Sequence, residues 1–134
     1  QHLHPHHEDS VTALLRYRRG ALAVLNVNYL SPTKTRQLKI FGKKGMFLVN
    51  YLDQELYFYE NRSFSSDNWE SVTEGDMKKI IITKREPLHV EIDSFINCLK
   101  HNSPPPVSGE HGLILLRTAQ AILKSSQEKK ILEC

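Results

Sequence analysis

The feature that most narrows what this chain can fold into is a change of hydrophobic period at Glu86-Pro87. Before it, apolar residues recur at every second position. "VTALLRY" sets Val11, Ala13, Leu15 and Tyr17 against Thr12, Leu14 and Arg16, as in a pleated strand whose side chains point alternately to its two faces. After it, Leu88, Ile92, Phe95, Ile96 and Leu99 fall at helical spacing, with Pro87 suited to a first helical turn. Strands gathered before helices indicate an α+β architecture rather than alternating βα units.

The strand block divides at its breakers. "VTALLRY" runs into a turn at Arg18-Arg19-Gly20. "ALAVLNVNYL" follows, with Asn26 and Asn28 on one face and Leu25, Val27 and Tyr29 on the other. Pro32 ends it, because proline has no backbone donor and biases Ser31 toward extended geometry. "TRQLKIF" resumes the pattern, and Gly42-Lys43-Lys44-Gly45 makes a hairpin-length turn. "MFLVNYL" and "ELYFYE" come next, joined by Asp53-Gln54. The polar stretch 61–76 reads as irregular and "MKKIIITK" as a sixth strand. Connections this short favour antiparallel neighbours, since a parallel crossover needs roughly a dozen residues. Some strands are apolar on both faces, as with Met46, Leu48 and Leu52 against Phe47, Val49 and Tyr51. A sheet with one solvated face does not look like this, so part of each face is expected to be covered.

The first helix is predicted over 86–102 and stops at Ser103 and the prolines that follow it. Ser108 is placed to cap a second helix, with Glu110 in its first turn. "LILLRTAQAIL" is apolar around much of its circumference, which predicts deep burial, and "KKILEC" is expected to add a short edge strand.

A chain of 134 residues is read as one domain, 1–134, able to bury roughly two-thirds of its unfolded surface without a disulfide or metal. With 40% hydrophobic and 25% charged residues, it is neither a disordered tail nor a membrane protein. No apolar run reaches the ~20 residues that span a bilayer. Without the pattern of a signal peptide at its start, a cytoplasmic setting is expected. Cys98 and Cys134 form no disulfide framework, and the sequon Asn61-Arg62-Ser63 is read as chance. Charge is uneven. Through residue 50 there are eight Lys/Arg against Glu8 and Asp9, and over 51–75 there are six acids against Arg62.

Few constellations carry chemistry. The six glycines, 20, 42, 45, 75, 109 and 112, yield neither G-x-G-x-x-G nor a P-loop, so no nucleotide-binding loop lies in the chain. Cys98 in the first helix reads as an inert thiol, Glu86 and Glu91 as dipole-favourable acids, and His111 as a surface residue. "SPTKTR" is richer. Lys34 and Arg36 share a side of an extended segment just after Asn28 and Tyr29. Cations, an amide and a phenol together suit a sugar or a phosphate, the guanidinium by bidentate hydrogen bonds.

The ordered set of motifs resembles the C-terminal domain of the Gfo/Idh/MocA oxidoreductases. The set comprises Pro32, Lys34, Arg36, Gly42 and Gly45, then Glu86, Pro87, Leu88, Glu91 and Phe95, then Val107, Ser108, Gly109, Glu110 and Gly112. Within that family the likeness is to the UDP-N-acetylglucosamine 3-dehydrogenase-like branch. His111 departs from the family pattern, which commonly has an acid there. The resemblance implies an open, mainly antiparallel sheet with two C-terminal helices on one face, the opposite face serving substrate and subunit contacts. It implies NAD or NADP bound by an N-terminal Rossmann domain outside this chain, with a Glu-Lys-Pro lysine and an Asp-x-x-x-His pair. None of those motifs occurs in this sequence. The chain is therefore expected to be the substrate and oligomerisation domain of a sugar or nucleotide-sugar dehydrogenase, inactive alone. Asn28, Tyr29, Lys34 and Arg36 are the expected substrate contacts, and no catalytic, cofactor or metal residue is expected.

The rival reading is a free-standing β-rich module that uses its basic half on nucleic acid or another anion. That needs surface aromatics, whereas Tyr17 and Tyr29 alternate like core positions. The opening His2, His4, His6 and His7 lack the fixed convergence of a zinc site, because Pro5 holds the segment extended and chain ends fray.

Overall fold

A computed structural model of the chain describes residues 7–66 and 69–133, with the backbone alone over 63–66 and 69–74. Six strands and two helices appear among the described residues. They are β1 (Ser10–Arg16), β2 (Leu22–Asn28), β3 (Gln37–Gly42), β4 (Gly45–Asn50), β5 (Glu55–Ser66), β6 (Trp69–Ile80), α1 (Pro87–His101) and α2 (Gly109–Glu128). The α+β class and the antiparallel pairing are those the sequence predicts. The strands form two sheets, β1-β2 and β3-β4-β5-β6. The chain divides into two compact units, Gln1–Ser31 with Pro87–Cys134, and Pro32–Glu86.

In the first unit, β1 and β2 pair so that Val11 faces Val27, Ala13 faces Leu25 and Leu15 faces Ala23. Tyr17 N donates to Ala21 O and Gly20 N to Tyr17 O, both at 2.9 Å, closing the hairpin. Gly20 takes φ 88°, the left-handed conformation that glycine reaches without a Cβ penalty. Val11, Ala13 and Leu15 are half-buried and, with Ala121 and Ile122 of α2 and Leu132, line a cleft of about 420 Å³.

Helix α1 begins at the expected proline and ends where Asn102 turns left-handed (φ 48°) and Ser103 N bonds back to Cys98 O at 3.0 Å. Such a bond satisfies a carbonyl that the helix end would leave unpaired. Cys98 is half-buried, its Sγ 3.7 Å from Pro104 O. Ser108 caps α2 as expected. Two expectations fail in this unit. Leu113, Ile114, Leu115 and Leu116 are 46–68% exposed, so the first half of α2 is not buried among the described residues. "KKILEC" forms no strand over the described residues to 133: Lys129 is left-handed (φ 54°), and Ser125 Oγ donates to Lys130 O at 2.6 Å, holding the tail to the helix end.

The second unit is a meander in which each strand pairs with the one before it. The register sorts its two faces. One carries the rows Leu38–Val49–Leu56–Ile80 and Ile40–Phe47–Phe58–Lys78, with the Phe47 and Phe58 rings 4.8 Å apart. The other carries Gln37–Asn50–Glu55, Lys39–Leu48–Tyr57–Lys79 and Phe41–Met46–Tyr59–Met77. The stretch 61–76, expected to be irregular, instead extends β5 and β6, pairing Asn61 with Glu74 through Ser66 with Trp69. Polarity misled the reading, because a two-stranded ladder satisfies its backbone groups whatever its side chains are. β6 also stops at Ile80, short of the predicted sixth strand, and Gln54 fixes the segment beyond it. Its Nε2 donates to Arg85 O (2.8 Å) and its Oε1 accepts from Arg85 N (3.0 Å).

Among the described residues no apolar side chain is fully buried. The burial expected of a chain of this length is not seen among the described residues, much of whose apolar surface has no cover among them. Tyr17 (56% exposed) and Tyr29 (76%) are not core residues either.

Candidate functional site

The four residues singled out for substrate contact fall two in each unit. Asn28 ends β2, and its Oδ1 accepts from Leu30 N (3.1 Å) and Ser31 N (2.9 Å). This is a turn-forming role that engages the side-chain acceptor. Tyr29 N donates to Asp9 O at 2.9 Å while its side chain stays exposed. In the second unit Lys34 and Arg36 are exposed on the segment before β3. Arg36 is held through its backbone, its O accepting from Tyr51 N at 3.0 Å.

A cluster the sequence reading passed over lies across β5 and β6. Tyr57 Oη donates to Glu55 Oε2 at 2.9 Å, and Lys79 Nζ donates to Glu55 Oε1 at 2.6 Å. The same ammonium sits 5.3 Å from the Tyr57 ring centroid, within cation–π range. Spacing held the signal: 55 and 57 share a face, and the pairing of Tyr57 with Lys79 brings the cation across. The hydrogen bond from Lys79, then that from Tyr57, holds the Glu55 carboxyl below the usual carboxylate range. Glu55 and then Tyr57 raise Lys79 above the usual amine value. Glu55 is thus stabilising above its unfolded pKa, and that contribution is lost as pH falls through the lower folded value. Lys79 is stabilising below its unfolded pKa and loses its contribution as pH rises through the higher folded one. The pair contributes throughout the neutral range. Urea unfolding of the wild type and Glu55→Gln should therefore differ at pH 7 and converge on acidification below the carboxylate range. A pH-independent difference would show that the ion pair carries none of it.

The start of α2 brings a second set of polar groups together. Ser108 Oγ donates to Glu110 Oε2 (2.5 Å), and Ser108 N donates to His111 Nδ1 (3.2 Å). His111 thus takes the back-reaching position of a capping box, where a carboxylate or amide usually stands, so its departure from the family pattern keeps the cap. The Ser108 bond also holds the Glu110 carboxyl below its usual range. That anion at the first turn repels a pyrophosphate, and no glycine loop precedes the helix, so these residues do not fit a nicotinamide dinucleotide. Asn61 of the sequon spends its amide on Gly42 O (3.3 Å) and Lys43 O (3.4 Å). Among the described residues no group of three or more His, Cys, Asp or Glu could hold a metal ion. His2, His4, His6 and Cys134 lie outside the described residues. No helix among the described residues is long and apolar enough to cross a membrane.

The family model described as "Oxidoreductase family, C-terminal alpha/beta domain" (Gfo/Idh/MocA) matches residues 1–133, and the chain belongs to that family. The myo-inositol 2-dehydrogenase of Thermotoga maritima is 26% identical over 124 residues, which are 91% of this chain and 35% of that protein. The chain thus spans about a third of the length of the curated relative it matches. No solved structure matches.

Proposed function

We propose that this chain is the substrate-binding and oligomerisation domain of an NAD(P)-dependent dehydrogenase of a sugar or nucleotide sugar, working in the cytoplasm and inactive alone. The observation that carries this is the family match over residues 1–133. The name of the relative, a dehydrogenase of a polyhydroxylated ring, supports the substrate class. The lack of a nucleotide-binding loop in the sequence supports a division of labour. NAD or NADP belongs to an N-terminal Rossmann domain, and the oxidation step is assigned there. On this side Arg36 and Lys34 supply cationic donors, and the Tyr29 hydroxyl and the Asn28 amide bind substrate hydroxyls. The apolar face of the second unit pairs with another copy of the enzyme.

Hydrogen bonds from a charged group contribute about 1.5–3 kcal/mol. In the full-length parent, Arg36→Ala should therefore raise KM for the sugar by roughly 10- to 100-fold. The chain alone should reduce no nicotinamide. Turnover by the isolated chain, or an unchanged KM, would sink the assignment.

A further inference from the structure

The chain passes between its two compact units twice, at Ser31–Pro32 and at Glu86–Pro87, and each crossing is built the same way. The residue entering the next unit is a proline, whose ring fixes its own φ and biases the residue before it toward extended geometry. A side-chain carboxamide binds the backbone just ahead of that proline. Before Pro32 it is Asn28, whose Oδ1 accepts from Leu30 N and Ser31 N. Before Pro87 it is Gln54, which binds both N and O of Arg85, 31 residues further along the chain. The second clamp is the unusual one. An Asn that captures the amides just after it is ordinary turn chemistry, whereas Gln54 holds a segment remote in sequence. Every residue of that segment, 81–86, is exposed and none lies in a strand or helix, so packing contributes little to its placement.

Gln54 also keeps its place against its own backbone preference. Its φ is 52°, in the left-handed region that glycine reaches freely and other residues only with strain. Asn102 and Lys129 share that region, but they follow the ends of α1 and α2, where such a residue is usual. In the last position of a hairpin turn, glycine or asparagine is the residue to expect. Glutamine serves the turn less well, and what it adds is a carboxamide long enough to reach Arg85. We propose that Gln54 is a positioning residue, a latch that stiffens the second crossing between the units. The turn it stands on is itself braced. Asn50 Oδ1 accepts from Leu52 N (3.1 Å) and Asp53 N (3.3 Å), and Tyr51 N donates to Arg36 O. The consequence for binding rests on the dehydrogenase reading, in which the residues that contact substrate fall two in each unit. A substrate engaging residues of both units must restrict the crossings, and a latch that restricts one beforehand removes part of that ordering entropy from the binding step.

Limited trypsin digestion of the 134-residue chain, read by mass spectrometry, tests the latch without substrate. Cleavage after Lys84 requires the protease to take the Arg85 backbone in extended form, which the two Gln54 bonds oppose. Gln54→Gly should accelerate that cleavage about ten-fold, because the rate follows the population in which the two bonds are open. Cleavage after Arg18 and Arg19, in the β1–β2 turn, should not change. Glycine suits the left-handed turn, so the variant keeps its fold, and faster cleavage reports the lost carboxamide and not a damaged turn. An unchanged rate after Lys84, or an equal acceleration at all three sites, would overturn the proposal. In the full-length parent, Gln54→Gly should raise KM for the sugar about three- to ten-fold and change kcat less than about two-fold. Arg36→Ala separates the two readings. If it raises KM and Gln54→Gly does not, the latch has no part in binding. If Arg36→Ala leaves KM unchanged, the substrate reading fails and the digestion alone decides the latch.

Discussion

Replacing Gly45 with alanine should destabilise the second unit by upwards of about 3 kcal/mol, the severe end of overpacking. Gly45 opens β4 with φ 155° and is buried. A Cβ there would lie 2.2 Å from Tyr59 O and 2.7 Å from the Phe58 ring. The backbone oxygen cannot step aside without breaking the β4–β5 ladder, in which Gly45 faces Glu60 and Met46 faces Tyr59. The β3–β4 turn, the Phe47–Phe58 contact and the Asn61 bonds to Gly42 O and Lys43 O all hang on that register. Gly20→Ala is the natural control. Its φ of 88° is as demanding, but a Cβ would meet nothing within 4 Å, so only backbone strain of about 1 kcal/mol is expected. Urea midpoints for the two variants decide it. Equal small losses would mean that Tyr59 and Phe58 yield.

The second large effect concerns assembly. If the apolar face of the second unit meets another copy, Ile40→Arg should convert the parent enzyme's oligomer to a smaller species. Ile40 is 52% exposed in the row with Phe47 and Phe58. Burying such a side chain contributes about 2 kcal/mol, and an isologous contact uses it twice. The loss is then about 4 kcal/mol, or roughly a thousand-fold in the dissociation constant, before the cost of burying a cation is added. Sedimentation velocity reads the change directly. An unaltered mass would exclude this face from the interface.

Much of this was legible in the chain, for local reasons. Pro87 and Ser108 mark the starts of α1 and α2 because their chemistry acts within one turn. The breakers around Gly20, Pro32 and Gly42 separate β1 from β2, β2 from β3 and β3 from β4. What stayed hidden depends on cross-strand partners. The polar 61–76 stretch reads as loop until Asn61 is seen facing Glu74. Glu55 and Lys79 are 24 residues apart in the chain, so no local window joins them. The Asn28 side chain was recognisable as polar, but its capture by two backbone amides was not. Burial was the least legible property. Leu113 to Leu116 read as core because apolar residues usually find cover, yet all four are exposed among the described residues.

The order of the meander has a consequence for how the polypeptide reaches its folded state. In β3-β4-β5-β6 every strand pairs with its predecessor, so each step closes only a short loop, the regime in which chains fold fastest. The first unit is drawn from Gln1–Ser31 and Pro87–Cys134, and its two parts are separated by the whole of Pro32–Glu86. If the meander forms first, it replaces a long floppy connection by one whose ends are already set, lowering the entropy that joining those parts must overcome. The sheet is then also a spacer, whose early closure prepares the rest of the chain to find itself.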